Sequence, residues 1–204
     1  MTADGLRAVL ERSRRLGFLG PGSVRVKEEH ALGFALGPAI TAPNRMVDLG
    51  SGGGVPGLVL AARWPEAQVI LLDAAERRCA FLTEAVADLG WQARVRVVRA
   101  RAEEAGRDPE LRAAADLVVA RGFGPPAVTA ECAAPLLAEG GRLVVSEPPD
   151  VDADRWPEEG LAKLGLTSEA EWREPFHYRS FHQERPCPES YPRRTGVPAK
   201  RPLF

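Results

Sequence analysis

The fold of this chain is decided by the stretch Asp48-Leu49-Gly50-Ser51-Gly52-Gly53-Gly54-Val55-Pro56-Gly57. It follows a short apolar strand, residues 45–49, and it precedes an apolar segment, residues 58–62, with the composition of a helix. Glycines lack a Cβ atom, so the backbone of such a loop turns sharply and lets a ligand approach closely. A strand, a glycine loop and a helix in this order are typical of a doubly wound α/β domain.

Strands and helices alternate at short intervals on both sides of this loop. Further apolar strands are expected at residues 68–72, 94–98, 116–120 and 142–146. Helices are expected at residues 3–17, 27–36, 76–89 and 126–137, and an antiparallel strand pair at residues 167–173 and 177–185. This alternation predicts an α/β fold: a Rossmann-like, doubly wound, mostly parallel sheet with helices on both faces and a short N-terminal helical extension.

Changes in composition and in the predicted secondary structure divide the chain into three regions. Residues 1–40 are the N-terminal helical extension, residues 41–185 the α/β domain, and residues 186–204 a basic C-terminal tail. Because prolines recur along the tail, it is expected to lack regular structure.

Composition excludes several classes of protein. The chain has 204 residues, with 27 Lys and Arg against 28 Asp and Glu; a net charge of −1 does not indicate a nucleic-acid binder, so any basic surface must be local. Its cysteines, Cys79, Cys132 and Cys187, are widely spaced, so no metal site is expected and the thiols should be reduced, as in the cytoplasm. The sequence has no long apolar run and no apolar signal core, so neither a membrane span nor secretion is expected.

The loop indicates the charge of its ligand. Gly50, Gly52 and Gly54 follow a Gly-x-Gly-x-Gly spacing, whereas dinucleotide-binding loops have Gly-x-Gly-x-x-Gly. Asp48 ends the preceding strand, and its carboxylate would attract the ammonium and sulfonium of S-adenosylmethionine and repel a pyrophosphate. The loop therefore favours S-adenosylmethionine; a dinucleotide, or a tight turn that binds no ligand, are the alternatives.

Three residues after later strands are further candidates for the ligand site. Asp73 ends the second strand, where a carboxylate accepts from ribose hydroxyls or caps the next helix. Glu103 follows the third strand, where it would meet an adenine edge or remain solvated at a helix start. Arg121 follows the fourth strand and is expected to face the cleft, because a hidden arginine needs a partner; pairing with a structural acid is the alternative.

Five segments of the chain together resemble a known family. They are the loop at 48–57, Leu71-Leu72-Asp73 with Arg78 and Phe81-Leu82, Arg101-Ala102-Glu103-Glu104, Ala120-Arg121, and the tail segment 191–203. They look like the bacterial 16S rRNA guanine-N7 methyltransferases, also called glucose-inhibited division protein B. The resemblance implies a class I methyltransferase fold, with S-adenosylmethionine contacting Gly50, Val55, Ala102, Glu103 and Arg121. It also implies methylation of N7 of a guanine, with 16S rRNA or the small ribosomal subunit as the partner.

The chain departs from that family at acidic residues near the expected cleft. Glu28 and Glu29 precede His30, where the family usually has an arginine before the histidine, and Glu147 stands where the family often has Lys-Gly. Added acids weaken the attraction of phosphates. Another RNA, a protein or a small molecule is therefore the alternative substrate, and a non-catalytic RNA-binding module is the alternative class of protein.

Methylation at N7 demands little beyond positioning. The N7 lone pair carries no proton, so transfer needs alignment with the methyl group and no general base. Arg121 and His30 are the candidates for positioning the base, although His30 is equally compatible with a locally satisfied helix residue. Extended proline-rich segments leave basic groups available to phosphates; the candidates for RNA binding are Arg193, Arg194, Lys200 and Arg201. A structural strap with solvated charges is the alternative for the tail, and the sequence does not indicate an oligomeric state.

Overall fold

A computed structural model of the chain describes residues 3–149 and 155–204. Its helices are α1 (Ala3–Arg15), α2 (Val24–Gly33), α3 (Gly57–Arg63), α4 (Glu76–Asp88), α5 (Ala102–Ala105), α6 (Pro126–Ala133), α7 (Glu158–Ala162) and α8 (Val197–Lys200). Its strands are β1 (Arg45–Leu49), β2 (Gln68–Asp73), β3 (Val95–Arg99), β4 (Ala115–Ala120), β5 (Leu137–Ser146), β6 (Leu166–Trp172) and β7 (Tyr178–Gln183).

The strands form one sheet in the order β3-β2-β1-β4-β5-β7-β6. Strands β1 to β5 pair in parallel, and β7 lies antiparallel between β5 and β6. The predicted doubly wound, mostly parallel sheet is therefore confirmed. The strand order reverses between β1 and β4, and ligands of such sheets bind at this switch point, outside the carboxyl ends of the strands.

Two apolar layers cover the faces of the sheet. Alternate residues of each strand point to opposite faces, so Met46 of β1 joins the layer under α1 to α4, while Val47 joins the layer under α5 to α7. Asp48 lies on the same face as Met46, and it is fully buried there. Among residues 3–149 and 155–204, no helix combines the length and the apolar character needed to cross a bilayer.

Several elements differ from the sequence-based expectation; helix α2, for example, spans Val24–Gly33 rather than residues 27–36. The expected helix at 126–137 ends at Ala133, because Pro135 cannot donate to the helix and clashes with the preceding turn; a single 3-10 turn, Ala134–Leu136, follows. Strand β5 then begins at Leu137 rather than 142. The tail was expected to lack regular structure, and this is wrong for the turn of helix α8. The division of the chain into extension, domain and tail stays a prediction.

Helix α2 is held against the antiparallel end of the sheet by two partly buried hydrogen bonds. Tyr178 Oη on β7 donates to the His30 carbonyl at 2.7 Å, and Trp172 Nε1 on β6 donates to the Gly33 carbonyl at 2.9 Å. A Cβ atom on Gly33 would overlap the Tyr178 hydroxyl, so only glycine permits this contact. These bonds place Lys27 and His30 of α2 near the carboxyl end of β4.

Gly33→Ala should therefore destabilise the protein. The added methyl group forces Tyr178 or α2 to move, which should lower the free energy of unfolding by about 1–3 kcal/mol. Gly20→Ala is the matched control, because a Cβ at Gly20 meets no atom within 4 Å and its φ is not positive. Urea unfolding of both variants checks this; equal stabilities would contradict the proposed docking of α2.

Candidate active site

The glycine loop is closed on itself by a buried carboxylate. Asp48 Oδ2 accepts a hydrogen bond from the Gly57 N–H at 2.9 Å, and the Ser51 hydroxyl donates to the Asp48 carbonyl at 2.9 Å. A Cβ atom on Gly57 would overlap Asp48 Oδ2. Gly57, which sequence reasoning quoted without a role, is thus required by the close approach of the carboxylate.

The other oxygen of the same carboxylate has no partner. Asp48 is 0% exposed, and its Oδ1 atom makes no hydrogen bond among the described residues. Burial raises the pKa of Asp48 to about 7; the hydrogen bond from the Gly57 N–H and the charge of Arg121 oppose this rise. A buried acceptor without a partner is costly, so this atom is suited to a ligand that brings a cation or a donor.

The backbone of the loop is shaped by glycines with positive φ. Gly50, Gly52 and Gly54 have φ values of 75°, 53° and 91°, which side-chain-bearing residues rarely adopt. At Gly50 a Cβ atom would also lie 2.7 Å from the ring of Phe123, so the loop passes directly against that ring. The side chain of Val55 is buried in the apolar core, so any contact of Val55 with a ligand would use its backbone.

Asp73 fastens the loop to the start of α4. Its Oδ2 accepts from the Gly52 N–H at 2.9 Å and its Oδ1 accepts from the Ala75 N–H at 2.8 Å, with Arg78 at 3.7 Å. The helix-cap interpretation of Asp73 is wrong, because the N-cap of α4 is Ala75 and no side chain among the described residues caps this helix. The Asp73 carboxylate instead holds the turn before α4 and makes a loop contact that the sequence did not indicate. Asp73 also lines the cavity described next, and its role towards ribose hydroxyls stays a prediction.

A cavity of about 300 Å³ opens beside the loop, within the size range of small-molecule sites. It is lined by Leu49, Gly50, Leu72, Asp73, Ala74, Arg78, Ala100, Arg101, Ala102, Glu103, Gly122, Phe123, Val128 and Ala199. Four of the predicted donor-site residues, Gly50, Asp73, Ala102 and Glu103, are thereby brought together. Asp48, Gly52, Gly54, Val55 and Arg121 do not line this cavity.

The C-terminal tail contributes to the same cavity, which sequence reasoning missed. Ala199 lines it, and the Gly196 N–H donates to Glu103 Oε1 at 2.8 Å. Glu103 is therefore engaged by the tail rather than solvated. No local signal in the sequence could have indicated a contact between residues so far apart in the chain.

A second cavity, of about 380 Å³, adjoins the first, and Gly122 and Phe123 line both. Its walls include Arg121, Ser146, Glu147 and Trp156. The Glu147 side chain is only 3% exposed, and its carboxylate accepts from Arg155 and from Trp156 Nε1. The acidic departure at Glu147 is thus neutralised by an arginine.

Arg121 lies in the wall of this second cavity without an ion-pair partner among the described residues. Burial lowers the pKa of Arg121, and the charge of Asp48 opposes this. The expectation that Arg121 faces the cleft is therefore supported by its position, and pairing with a structural acid within 4 Å is not observed among residues 3–149 and 155–204.

His30 is an uncharged aromatic residue at neutral pH. Burial, together with the charges of Arg121 and Lys27, lowers the pKa of His30 to about 4. Its ring packs against Phe176 at 4.7 Å between centroids, and its Nδ1 is buried without a hydrogen-bond partner among the described residues. His30 is therefore not a helix residue whose polar atoms are all satisfied locally, because Nδ1 lacks a partner among the described residues. A role for His30 in positioning the base stays a prediction.

The four basic residues predicted to bind RNA have different surroundings. The Arg193 guanidinium forms a two-pronged ion pair with Glu131, at 2.8 Å and 2.6 Å, and Glu131 is 0% exposed. The expectation that Arg193 stays available to phosphates is therefore wrong, because a buried carboxylate demands a partner. Arg194, Lys200 and Arg201 are exposed.

The described residues contain three buried free cysteines and no cluster of His, Cys, Asp or Glu that could hold a metal ion.

This sheet and this loop define a class of enzyme, the class I S-adenosylmethionine-dependent methyltransferases. Solved structures of the same fold include the S-adenosylmethionine-dependent methyltransferase SibL in its apo form, with a TM-score of 0.62 and 19% identity over 88% of this chain and 70% of that one. An O-methyltransferase family protein from Burkholderia thailandensis gives a TM-score of 0.59 and 14% identity over 78% of this chain and 56% of that one.

The chain belongs to the rRNA small subunit methyltransferase G family, whose model matches residues 29–147. The ribosomal RNA small subunit methyltransferase G of Prochlorococcus marinus strain MIT 9313 is 38% identical over 169 residues, which are 79% of this chain and 68% of that protein. The protein of the same name from Symbiobacterium thermophilum is 35% identical over 98% of this chain and 87% of that protein. The resemblance noted in the sequence is thus confirmed, and S-adenosylmethionine is the methyl donor.

Asp48→Asn should separate stability from donor binding. In the folded chain the pKa of Asp48 is raised to about 7, so its carboxyl keeps its proton up to about that pH. In the unfolded chain the same carboxyl has its ordinary, lower pKa and loses the proton at a lower pH. The contribution of this group to stability therefore falls as pH rises through that window. Asparagine does not ionise, so at pH 8 the ligand-free variant should unfold at an equal or higher urea concentration than the parent.

The same variant should bind S-adenosylhomocysteine about 10- to 150-fold more weakly, the loss expected for a charged hydrogen bond of roughly 1.5–3 kcal/mol. Asp116→Asn is the matched control, because Asp116 Oδ2 accepts two backbone N–H bonds, from Asn44 and Arg45, at the amino end of the sheet. Calorimetry at pH 8 measures both affinities. If Asp48→Asn binds S-adenosylhomocysteine as tightly as the parent, the Asp48 carboxylate does not contact the donor.

Proposed function

We propose that this chain transfers the methyl group of S-adenosylmethionine to N7 of a guanine in 16S rRNA. The observation that carries the proposal is the pair of adjoining cavities at the carboxyl ends of β1 and β4, which share Gly122 and Phe123. One cavity suits the donor and the other suits a flat base. Family membership supports RNA as the class of substrate.

The residues of the first cavity fit the donor. Among its lining residues, Asp73 suits hydroxyl groups and Glu103 suits an amine on a base edge. The unpartnered Oδ1 of Asp48, which lies at the end of β1 outside that lining, suits an ammonium group. When bound, S-adenosylmethionine supplies an electrophilic methyl group on a sulfonium. The chain's part is to bind and orient that molecule and to exclude water from it.

The residues of the second cavity fit a guanine. The rings of Phe123 and Trp156 offer apolar walls, and the unpaired guanidinium of Arg121 offers donors. Arginine characteristically donates to the O6 and N7 edge of guanine. We infer that Arg121 donates to O6 and leaves the N7 lone pair free to accept the methyl group, whereas adenine presents an amino group in place of O6.

The absence of an obvious general base agrees with this reaction. N7 carries no proton, so alignment supplies the catalysis. His30, whose pKa is lowered to about 4, is uncharged at neutral pH and so adds no further positive charge beside Arg121 and Lys27. We assign His30 a positioning role close to Arg121, whose charge it senses.

Two of the three acidic departures from the family, Glu28 and Glu147, repel RNA less than their formal charge indicates. Glu28 is paired with Arg7 at 3.1 Å, and Glu147 is paired with Arg155. Arg194, Lys200 and Arg201 lie exposed on the tail that borders the donor cavity. We therefore retain 16S rRNA, free or in the small subunit, as the substrate, and the cytoplasm as its location.

The reaction is tested with labelled S-adenosylmethionine and either naked 16S rRNA or small subunits, followed by chemical cleavage at 7-methylguanine. We expect label at one guanine N7, and a loss of at least tenfold in kcat/KM for Arg121→Gln, since one lost hydrogen bond from a charged donor costs about 1.5–3 kcal/mol. The exposed Arg63→Gln on α3 is the control. Label at another atom, or only in a protein or small molecule, would overturn the substrate.

The tail residues are tested through salt dependence. The triple replacement of Arg194, Lys200 and Arg201 by alanine should weaken RNA binding and make its salt dependence shallower by roughly 0.7–0.9 per lost phosphate contact. A charge-matched control replaces the exposed Arg15, Arg45 and Arg63. If the salt dependence of RNA binding by the tail variant is as steep as that of the parent and of the control variant, the tail is not an RNA contact.

A further inference from the structure

We propose that the C-terminal tail, residues 186–204, is a wall of the donor cavity, and that Arg193 is the positioning residue that holds this wall in place through Glu131. The proposal concerns donor binding, so it does not depend on the nature of the acceptor. It assigns the tail a role in addition to the RNA contact proposed above.

The tail meets the donor cavity at two points. Ala199, in the single turn of α8, lines the cavity, and Gly196, directly before α8, donates its N–H to Glu103 Oε1 at 2.8 Å. Gly196 has a φ of 80°, so the sharp turn that aims this N–H at Glu103 favours glycine. The bond fixes the Glu103 carboxylate, itself a lining residue, in one orientation.

Arg193 makes three hydrogen bonds to the buried carboxylate of Glu131, one from its backbone and two from its side chain. Its backbone N–H and its Nε both lie 2.8 Å from Glu131 Oε1, and its Nη2 lies 2.6 Å from Glu131 Oε2. Bidentate pairs of this kind are strong and geometrically specific. The pKa of Arg193 is raised by its hydrogen bonds to Glu131, so the guanidinium stays charged at physiological pH.

The same guanidinium also links the start of the tail's cavity-lining segment to its end. Arg193 Nη2 donates to the Arg201 carbonyl at 2.7 Å, which joins the two ends of the segment that contains Gly196 and Ala199. Glu131 lies on α6, and Val128 of that helix lines the donor cavity. One ion pair thus ties together two walls of the cavity that come from distant parts of the chain.

Other arginines hold the preceding part of the tail independently. Arg112 donates to the carbonyls of Cys187, Pro188 and Tyr191, at 2.9, 3.1 and 2.8 Å, and Arg107 donates to that of Pro192 at 2.5 Å. Loss of the Arg193 side chain should therefore release residues 193–201 while leaving residues 187–192 attached. The variant is expected to fold.

Arg193→Ala is expected to raise the Kd for S-adenosylhomocysteine at least about fivefold, the lower end of typical couplings between linked sites. The KM for S-adenosylmethionine should rise with it. Arg193→Lys, which keeps the charge but loses the two-pronged geometry, should give an intermediate Kd. The control is Arg142→Ala, which removes an ion pair with Glu169 at 2.8 Å that joins β5 to β6 away from the cavity. Its arginine is about as exposed as Arg193, 30% against 26%, although Glu169 is less buried than Glu131.

A purely structural strap would lower the thermal stability of Arg193→Ala without changing its Kd, and that result would overturn the proposal. A second measurement uses the unaltered protein and so does not depend on the variant folding. Hydrogen exchange of the amides in residues 193–201, Gly196 above all, should slow at least severalfold on addition of S-adenosylhomocysteine. Exchange that is unchanged by saturating ligand would equally refute the wall. If donor binding behaves as expected but no RNA is methylated, the proposed substrate fails and this inference stands.

Discussion

The arrangement of the donor site depends on one buried carboxylate. Asp48 is fully enclosed at the end of β1, and only one of its oxygens is satisfied, by the Gly57 N–H. Because the satisfied oxygen sits against Gly57, the loop must return to the end of β1, and it does so through glycines with positive φ. The unsatisfied oxygen leaves the ligand-free site with an unfavourable interaction. On the proposed donor contact, a cationic ligand would remove it, and the cost of burying Asp48 would become part of the driving force for binding.

Carboxylates also organise the regions around that loop. Asp73 joins the loop to α4 through two backbone amides, and Glu131 joins α6 to the tail through Arg193. Each of these acids is at most 7% exposed and each accepts at least two hydrogen bonds. The residues that a sequence comparison would read as ligand contacts are therefore also the residues that set the backbone, and replacing them is expected to alter both structure and binding.

The fold and the core of the donor site could be predicted because their signals are local. Alternating apolar strands and helices, and an acid before spaced glycines, lie within short stretches of sequence. The end of α6 was misplaced because Pro135 outweighs an otherwise continuous helical pattern. The ion pair of Arg193 with Glu131 and the cavity-lining position of Ala199 could not be predicted from the sequence. Glu131 lies 62 residues before Arg193, the other lining residues lie still further from Ala199, and no periodicity connects them.

The most direct test of the role of Asp48 is a crystal structure of this chain with S-adenosylhomocysteine. The account predicts that the amino group of the ligand hydrogen-bonds to Asp48 Oδ1, directly or through one ordered water, with each donor–acceptor distance about 2.7–3.2 Å. The ribose and base should then lie in the cavity beside Asp73 and Glu103. A ligand whose amino group lies elsewhere, with Asp48 Oδ1 still unpartnered, would contradict the claim that this carboxylate organises the donor site.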